Sequence, residues 1–189
     1  MEITVTSIVA IAIVVIVVLL VFAVPFWWIS TSNDFKRKII KVGEGLSDVE
    51  VALTNRYDIL TKLLDATKGF TTHEKTLLTQ IVAMRRGMSV GELNKANEQA
   101  DDLASRINVM VEAYPELRSS DVVRELQAGI SDTEKHLQAA RRLYNSNVAA
   151  FNSAIVVFPA NIVANAQRLE QREFFTADAN KFADVEMKL

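Results

Sequence analysis

Residues 8–29 read IVAIAIVVIVVLLVFAVPFWWI, with no charged residue and no glycine. A helix needs about 20 apolar residues to cross the hydrocarbon of a bilayer, and this run has roughly 22. A core helix of that length in a water-soluble protein keeps a polar face, and this one has none. The run is therefore read as an uncleaved membrane anchor over residues 1–30, with the lipid bilayer as first partner. A removable signal peptide wants a basic start, a shorter apolar core and a small-residue cleavage site. Here Met1–Ser7 carries only Glu2 as a charged side chain. Trp27 and Trp28 close the run and are the predicted membrane-interface residues, because indole rings favour headgroup level. Pro25 removes one backbone donor near the end of the run.

Lys36, Arg37, Lys38 and Lys41 follow the anchor, whereas no Lys or Arg precedes it. Lys and Arg near the ends of a span stay on the cytoplasmic side. The expected topology is a single pass through the cell membrane, with the N-terminus outside and the remainder in the cytoplasm.

The 189 residues have a net charge of −2 and contain no Cys. No strongly basic surface for nucleic acid is expected from that balance. Without Cys there are no disulfides, thiol nucleophiles or Cys–zinc sites. The part beyond the anchor is about 160 residues, enough for one domain with a real core.

Three further stretches carry the helical period. The first runs from about Thr31 to Lys68, with the stripe Val42, Leu46, Val49, Leu53, Tyr57, Leu60 and Leu64. Spacings of three and four keep these on one face. Gly69 ends it, and Thr71 with Glu74 forms a capping-box pattern. The second stretch carries Leu77, Ile81, Met84 and Met88, is interrupted at Gly87 and Gly91, and resumes as Leu93, Ala96, Ala100, Leu103, Ile107, Met110 and Tyr114. Its later spacings resemble a coiled-coil seam. One helix with a flaw, or two in line, is expected, with Ser89 available as a new cap and Pro115 as the stop. The third starts near Ser119–Asp121 and runs to Phe158, through Val122, Leu126, Ile130, Thr133, Leu137, Ala140, Tyr144, Val148, Phe151, Ile155 and Phe158. A short helix over Ala160–Gln167 and a loose tail follow Pro159.

The predicted fold is all-α: an N-terminal transmembrane helix, then an elongated antiparallel bundle of three long helices and a short fourth. Its divisions are the anchor (1–30), the bundle (31–168) and a C-terminal tail (169–189). Three Phe in the tail, Phe174, Phe175 and Phe182, favour docking on protein.

Several segments together resemble the LemA family. They are Val49-Glu50-Val51-Ala52-Leu53-Thr54-Asn55-Arg56-Tyr57-Asp58-Ile59-Leu60, Lys68-Gly69-Phe70-Thr71-Thr72-His73-Glu74, and Glu112-Ala113-Tyr114-Pro115-Glu116-Leu117. The longest is Ala140-Arg141-Arg142-Leu143-Tyr144-Asn145 followed by Val148, Phe151-Asn152, Ile155, Phe158-Pro159 and Asn161. The likeness spans about Thr31–Phe175 and includes the anchor. It departs at Gly45-Leu46, where the family usually has Ala-Trp, and at Arg168-Leu169, where it usually has Gly-Phe. The resemblance implies a membrane-anchored helical bundle without an established catalytic activity. A related domain occurs in magnetosome-membrane proteins, which implies a membrane-organising role.

The residues offer little for catalysis. The two histidines are His73 and His136. Asp132 precedes His136 by one turn, but two ligands on a solvated face fall short of the three a catalytic zinc wants. No phosphate loop, nucleophile elbow or paired-carboxylate motif is present. No enzyme activity, metal or cofactor is expected. Arg56, Glu112, Glu134 and Arg141 are the candidates for inter-helix ion pairs. Such a network fixes helix register, or in a functional version binds a partner or senses protons. Asn145 and Asn152 lie seven apart on one face and are candidates for aligning a neighbouring helix.

The function expected from these readings is a scaffold or adaptor that self-associates as a homo-oligomer and organises partners, including another membrane protein, at the membrane. The alternative is a regulatory subunit of a membrane enzyme such as a membrane peptidase; a third reading is a hydrolase or metal-binding sensor.

Overall fold

The computed structural model describes residues 2–67 and 87–176, with side chains from residue 7 onward. Among these residues the chain is helical and no strand is assigned. The helices are α1 (Glu2–Ala66), α2 (Val90–Ala113), α3 (Pro115–Ser119), α4 (Asp121–Val156) and α5 (Ala160–Ala166). The chain divides into two compact units. One comprises Met1–Lys41 and Ala149–Arg172; the other comprises Val42–Val148 and Glu173–Leu189. Gly69, the Thr71–Glu74 cap, His73, the stripe from Leu77 to Met84 and Phe182 lie outside the described residues.

In the first unit, α1 passes through Pro25 and the Ser30–Asn33 polar cluster without an assigned break. From Ser7 to Phe26 every side chain is exposed. This stretch is long and apolar enough to cross a membrane. Trp27 is half-buried and Trp28 exposed. The unit buries Phe35, Phe151, Ile155, Val163 and Ala164. Helix α4 stops at Val156, two residues before the expected Phe158. Phe158 thereby falls in the turn before Pro159 and stands 75% exposed instead of continuing the stripe.

Helix α5 ends in a double hydrogen bond of the Schellman type. Leu169 N–H donates to Ala164 O at 3.0 Å, and Arg168 N–H donates to Asn165 O at 3.1 Å. This turn requires a left-handed residue, and Arg168 supplies it at φ 53°. Glycine adopts that conformation without a Cβ penalty.

In the second unit the apolar stripe of α1 is buried from Val42 through Val49, Leu53, Tyr57, Leu60 and Leu64. Leu46 is the exception and is half-buried, while Gly45 is buried in its place. A Cβ on Gly45 would sit 3.0 Å from Tyr144 Cα. The two backbones therefore approach too closely for a side chain between them. Gly45 facing Tyr144 and Arg56 facing Glu134 make α1 and α4 antiparallel.

Helix α2 has the same sense as α1. Gly87 N–H donates to Glu50 Oε1 at 3.1 Å, and Arg56 meets Asp101 further along both segments. A single helix through the whole second stretch is excluded by Gly87, at φ 81°, and by Ser89, which opens α2 with a complete capping box. Ser89 N–H donates to Glu92 Oε2 at 2.7 Å, and Glu92 N–H donates to Ser89 Oγ at 3.3 Å. Pro115 ends one helix and opens another, since its missing N–H costs nothing at the first helical position. The resulting short α3 places Leu117 in the core.

That core joins Leu60, Leu63 and Leu64 of α1 to Ala100, Leu103 and Ile107 of α2, with Leu117 and Val123 closing one side. Burying each Leu or Ile contributes about 1.5–3 kcal/mol. Val123 takes the inward place expected of Val122, which is exposed. Helix α4 starts at Asp121, so its first-turn phase is set by the cap, where Val123 N–H meets Ser120 Oγ at 3.5 Å. Phase near a helix end is poorly constrained by the period of the interior.

Replacing Arg168 by glycine should raise stability by about 1 kcal/mol, the cost of a left-handed residue bearing a Cβ. Thermal unfolding of the full chain in detergent, Arg168→Gly against the parent, is the check. An unchanged or lower midpoint would show that the arginine side chain offsets the backbone cost.

Candidate functional site

Arg56 is the one charged side chain that the second unit takes deep inside among its described residues: the residue is 4% exposed. It leaves α1 one residue before Tyr57, on the edge of the apolar stripe, and points between α2 and α4. Its NH1 donates to Asn97 Oδ1 at 2.9 Å. Its NH2 donates to Asp101 Oδ1 at 2.6 Å and lies 3.1 Å from Glu134 Oε2. The first contact is a charge-assisted hydrogen bond. The second is ionic only, because Glu134 Oε2 makes no geometrically sound hydrogen bond. One guanidinium thus links three long helices. Its planar fork holds several acceptors at once, which an ammonium does less well.

Tyr57 adds a second polar tie beside it. Its hydroxyl donates to Ala96 O at 2.6 Å. Burial pushes the Tyr57 phenol up to about 12; the Arg56 charge opposes this and the Asp101 carboxylate assists it. The phenol therefore stays a neutral donor at physiological pH.

Of the four charged residues expected to form a network, the structure brings Arg56 and Glu134 together. Glu112 is exposed on α2 and Arg141 is half-buried on α4, and the carboxylates that meet Arg56 are those of Asp101 and Glu134. Asn97 and Asp101 escaped the sequence reading, although a signal was present. Asn97 stands four residues after Leu93 and three before Ala100, so it occupies an apolar-face position. Asp101 follows it by one turn. A polar residue in a buried stripe asks for a hydrogen-bonding partner across the interface.

Beside this cluster lies a cleft of about 470 Å³, lined by Arg56, Asp101, Gln127, Ser131, Glu134 and Gln138 among others. Its lining charges sum to −1, and it presents amides, a hydroxyl and carboxylates without an activated nucleophile. Among the described residues no group of three or more His, Asp and Glu gathers as a metal site. Asp132 is ion-paired with Lys135 at 2.9 Å, and His136 is exposed.

The two asparagines align the segment of chain after α5, not a helix. In the first unit Asn152 Nδ2 donates to Arg172 O at 2.9 Å, and Arg172 N–H donates to Asn152 Oδ1 at 2.8 Å. In the second unit Asn145 pairs with Phe175 in the same two-way manner, both bonds at 2.8 Å. Tyr144 reinforces the latter by donating to Glu173 O at 2.8 Å. A carboxamide matches a peptide group donor for acceptor, so each pair satisfies a backbone unit that has no helix or sheet partner. The expected loose tail is therefore tied down through Phe175, which is buried, while Phe174 stays exposed.

Comparison with known proteins places these features in a family context. A model of the LemA family matches residues 45–188. Protein LemA of Metamycoplasma hominis is 26% identical over 166 residues, covering 85% of this chain and 76% of that protein. Magnetosome protein MamQ of Magnetospirillum gryphiswaldense is 27% identical over 70 residues, covering 37% of this chain and 26% of that protein.

Arg56→Ala should destabilise the folded chain by about 3 kcal/mol, because it strands buried Asn97 and two facing carboxylates. Arg56→Leu combined with Asn97→Leu, Asp101→Leu and Glu134→Leu should recover most of that loss, since an apolar replacement of the whole cluster leaves no partner stranded. Denaturant melts of both variants measure the difference. The Tyr57 phenol binds a proton in the folded state that the unfolded chain has released above its ordinary value of 10. Its stabilisation is thus fully present below pH 10 and is lost as pH rises towards about 12. Tyr57→Phe should remove this alkaline slope, and the phenolate absorbance of the variant should lose a late-ionising component.

Proposed function

This chain belongs to the LemA family, and we propose that it is a membrane-anchored helical scaffold or adaptor without catalysis of its own. It holds copies of itself, and through them partner proteins, at the cell membrane. The anchor crosses once, with the N-terminus outside and the packed helices in the cytoplasm. The observation that carries this reading is the α1 stretch whose apolar side chains are all exposed. Such a surface is stable in lipid and aggregates in water. Confinement to the bilayer raises the effective concentration of each molecule for its neighbours without any new contact.

The charged cluster supports a structural role for the second unit. Arg56 donates to Asn97 and Asp101 and pairs ionically with Glu134. A guanidinium engaged in this way sets the alignment of three helices. One relative, similar over 70 residues, is named as a magnetosome protein, which accords with the membrane-organising role that the resemblance implies. Lys36, Arg37, Lys38 and Lys41 support the orientation.

Purified in mild detergent, the protein should run as one discrete homo-oligomer by multi-angle light scattering; a monomeric mass would remove self-association. The absence of native Cys permits a clean topology test. A single cysteine at Val109 should react with a membrane-impermeant maleimide only after cells are permeabilised, and labelling in intact cells would reverse the orientation.

A further inference from the structure

We propose that the α4–α5 turn is a second lipid contact, seated in the membrane interface from which α1 emerges. The inference rests on the reading of α1 as a membrane span and adds to it a surface from the other end of the chain.

Four apolar side chains stand out from the first unit around this turn. Val156, Val157, Phe158 and Ile162 are all exposed, Phe158 to 75%. Isolated apolar side chains on a surface need no explanation, but a contiguous group does. The sequence around them is free of charge: no Asp, Glu, Lys or Arg occurs between Arg142 and Arg168. A water-facing turn has no reason to avoid charge over so long a stretch.

The fold places this turn beside the end of the anchor. Gln167 Nε2, just past α5, donates to Ser32 Oγ at 2.7 Å. Ser32 follows Ile29, the last residue of the apolar run, by three positions, or about 4.5 Å along the helix. The headgroup layer is about 5–8 Å deep on each side of the hydrocarbon. The Ser32–Gln167 bond therefore lies in that layer. Ile162 stands about 7.5 Å along α5 from Gln167. Helix α5 leaves α4 at 95°, so the chain turns sideways here instead of continuing along its previous axis.

The α4–α5 pair does not read as a second crossing. Asn145, Asn147, Asn152 and Ser153 interrupt its apolar character, and the helix is broken between Val156 and Ala160, an irregularity that lipid-facing chain in hydrocarbon does not tolerate. Its apolar group is instead the size of a shallow insertion. Lys36, Arg37 and Arg168 are exposed in the same unit and suit anionic headgroups, as the polar side of an interfacial segment does. Continuity with the anchor selects lipid over a second protein copy: bilayer is present at this level around every molecule, whatever its partners.

The test uses the full chain carrying single cysteines labelled with an environment-sensitive dye. Labels at Phe158→Cys and Ile162→Cys are compared with Val109→Cys, an exposed apolar position of the second unit, and with Val18→Cys in the anchor. The proteins are reconstituted in vesicles of phosphatidylcholine and phosphatidylglycerol, with and without a nitroxide-bearing lipid. Blue-shifted emission at 158 and 162, with quenching by the nitroxide severalfold above that at 109, supports the proposal. A blue shift without lipid quenching means that protein covers the turn, and overturns it. Water-like emission at 158 and 162 alongside strong quenching at 18 overturns it while leaving the anchor intact. Loss of quenching at 18 as well removes the anchor reading and this inference together.

Discussion

An apolar side chain needs a neighbour that is not water, and for some twenty consecutive residues of α1 the protein offers none. From Ser7 to Phe26 the helix is exposed on every side. Leaving so many Val, Ile and Leu side chains in water is disfavoured by about 1.5–3 kcal/mol each, far beyond the marginal stability of an ordinary domain. The bilayer is thus part of the environment that makes this structure viable. The same helix then changes character. Beyond Val42 its apolar residues retreat to one stripe, and the protein itself becomes the partner.

Within the second unit the stripe alone does not specify which helices meet or at what height. Leucines and alanines on α1 and α2 pack in many registers of similar energy. Arg56 narrows the choice. A guanidinium with 4% exposure is tolerable only where Asn97, Asp101 and Glu134 stand together, and a slip of one turn would part them. Tyr57 on Ala96 O imposes a second condition of the same kind. Gly45 adds a steric one by letting α1 close onto Tyr144. Such groups often add little net stability, because desolvation offsets most of their attraction. Their effect is on uniqueness. The paired asparagines do similar work for the chain after α5, giving its backbone the partners that an extended segment otherwise lacks.

Much of this was legible in the chain. An unbroken apolar run located the stretch of α1 long and apolar enough to cross a membrane, and periodicity located the buried face of α1 from Val49 to Leu64, the course of α4 and the short α5. Ser89 and Pro115 marked helix boundaries because capping and proline chemistry are local. The errors cluster at ends and edges. Val122 and Val123 exchange places at the first turn of α4, and Phe158 falls past its last. Leu46 gives way to Gly45, since close backbone approach is a property of two helices. Glu112 and Arg141 look as suitable as Glu134 on their own helices, and only the meeting of helices separates them.

The amino-acid order by itself determined what is local: a run too apolar for water, helical faces, caps and breaks. Tertiary structure decided which polar groups meet. It chose Asn97 and Asp101 for Arg56, gave Asn145 and Asn152 a peptide backbone instead of a helix, set α2 in the same sense as α1, and brought Gln167 to Ser32. The physical reason is one of range. Side-chain period and capping act over three or four residues, whereas a buried charge or amide finds its partner across helices, at separations in sequence on which no local pattern reports.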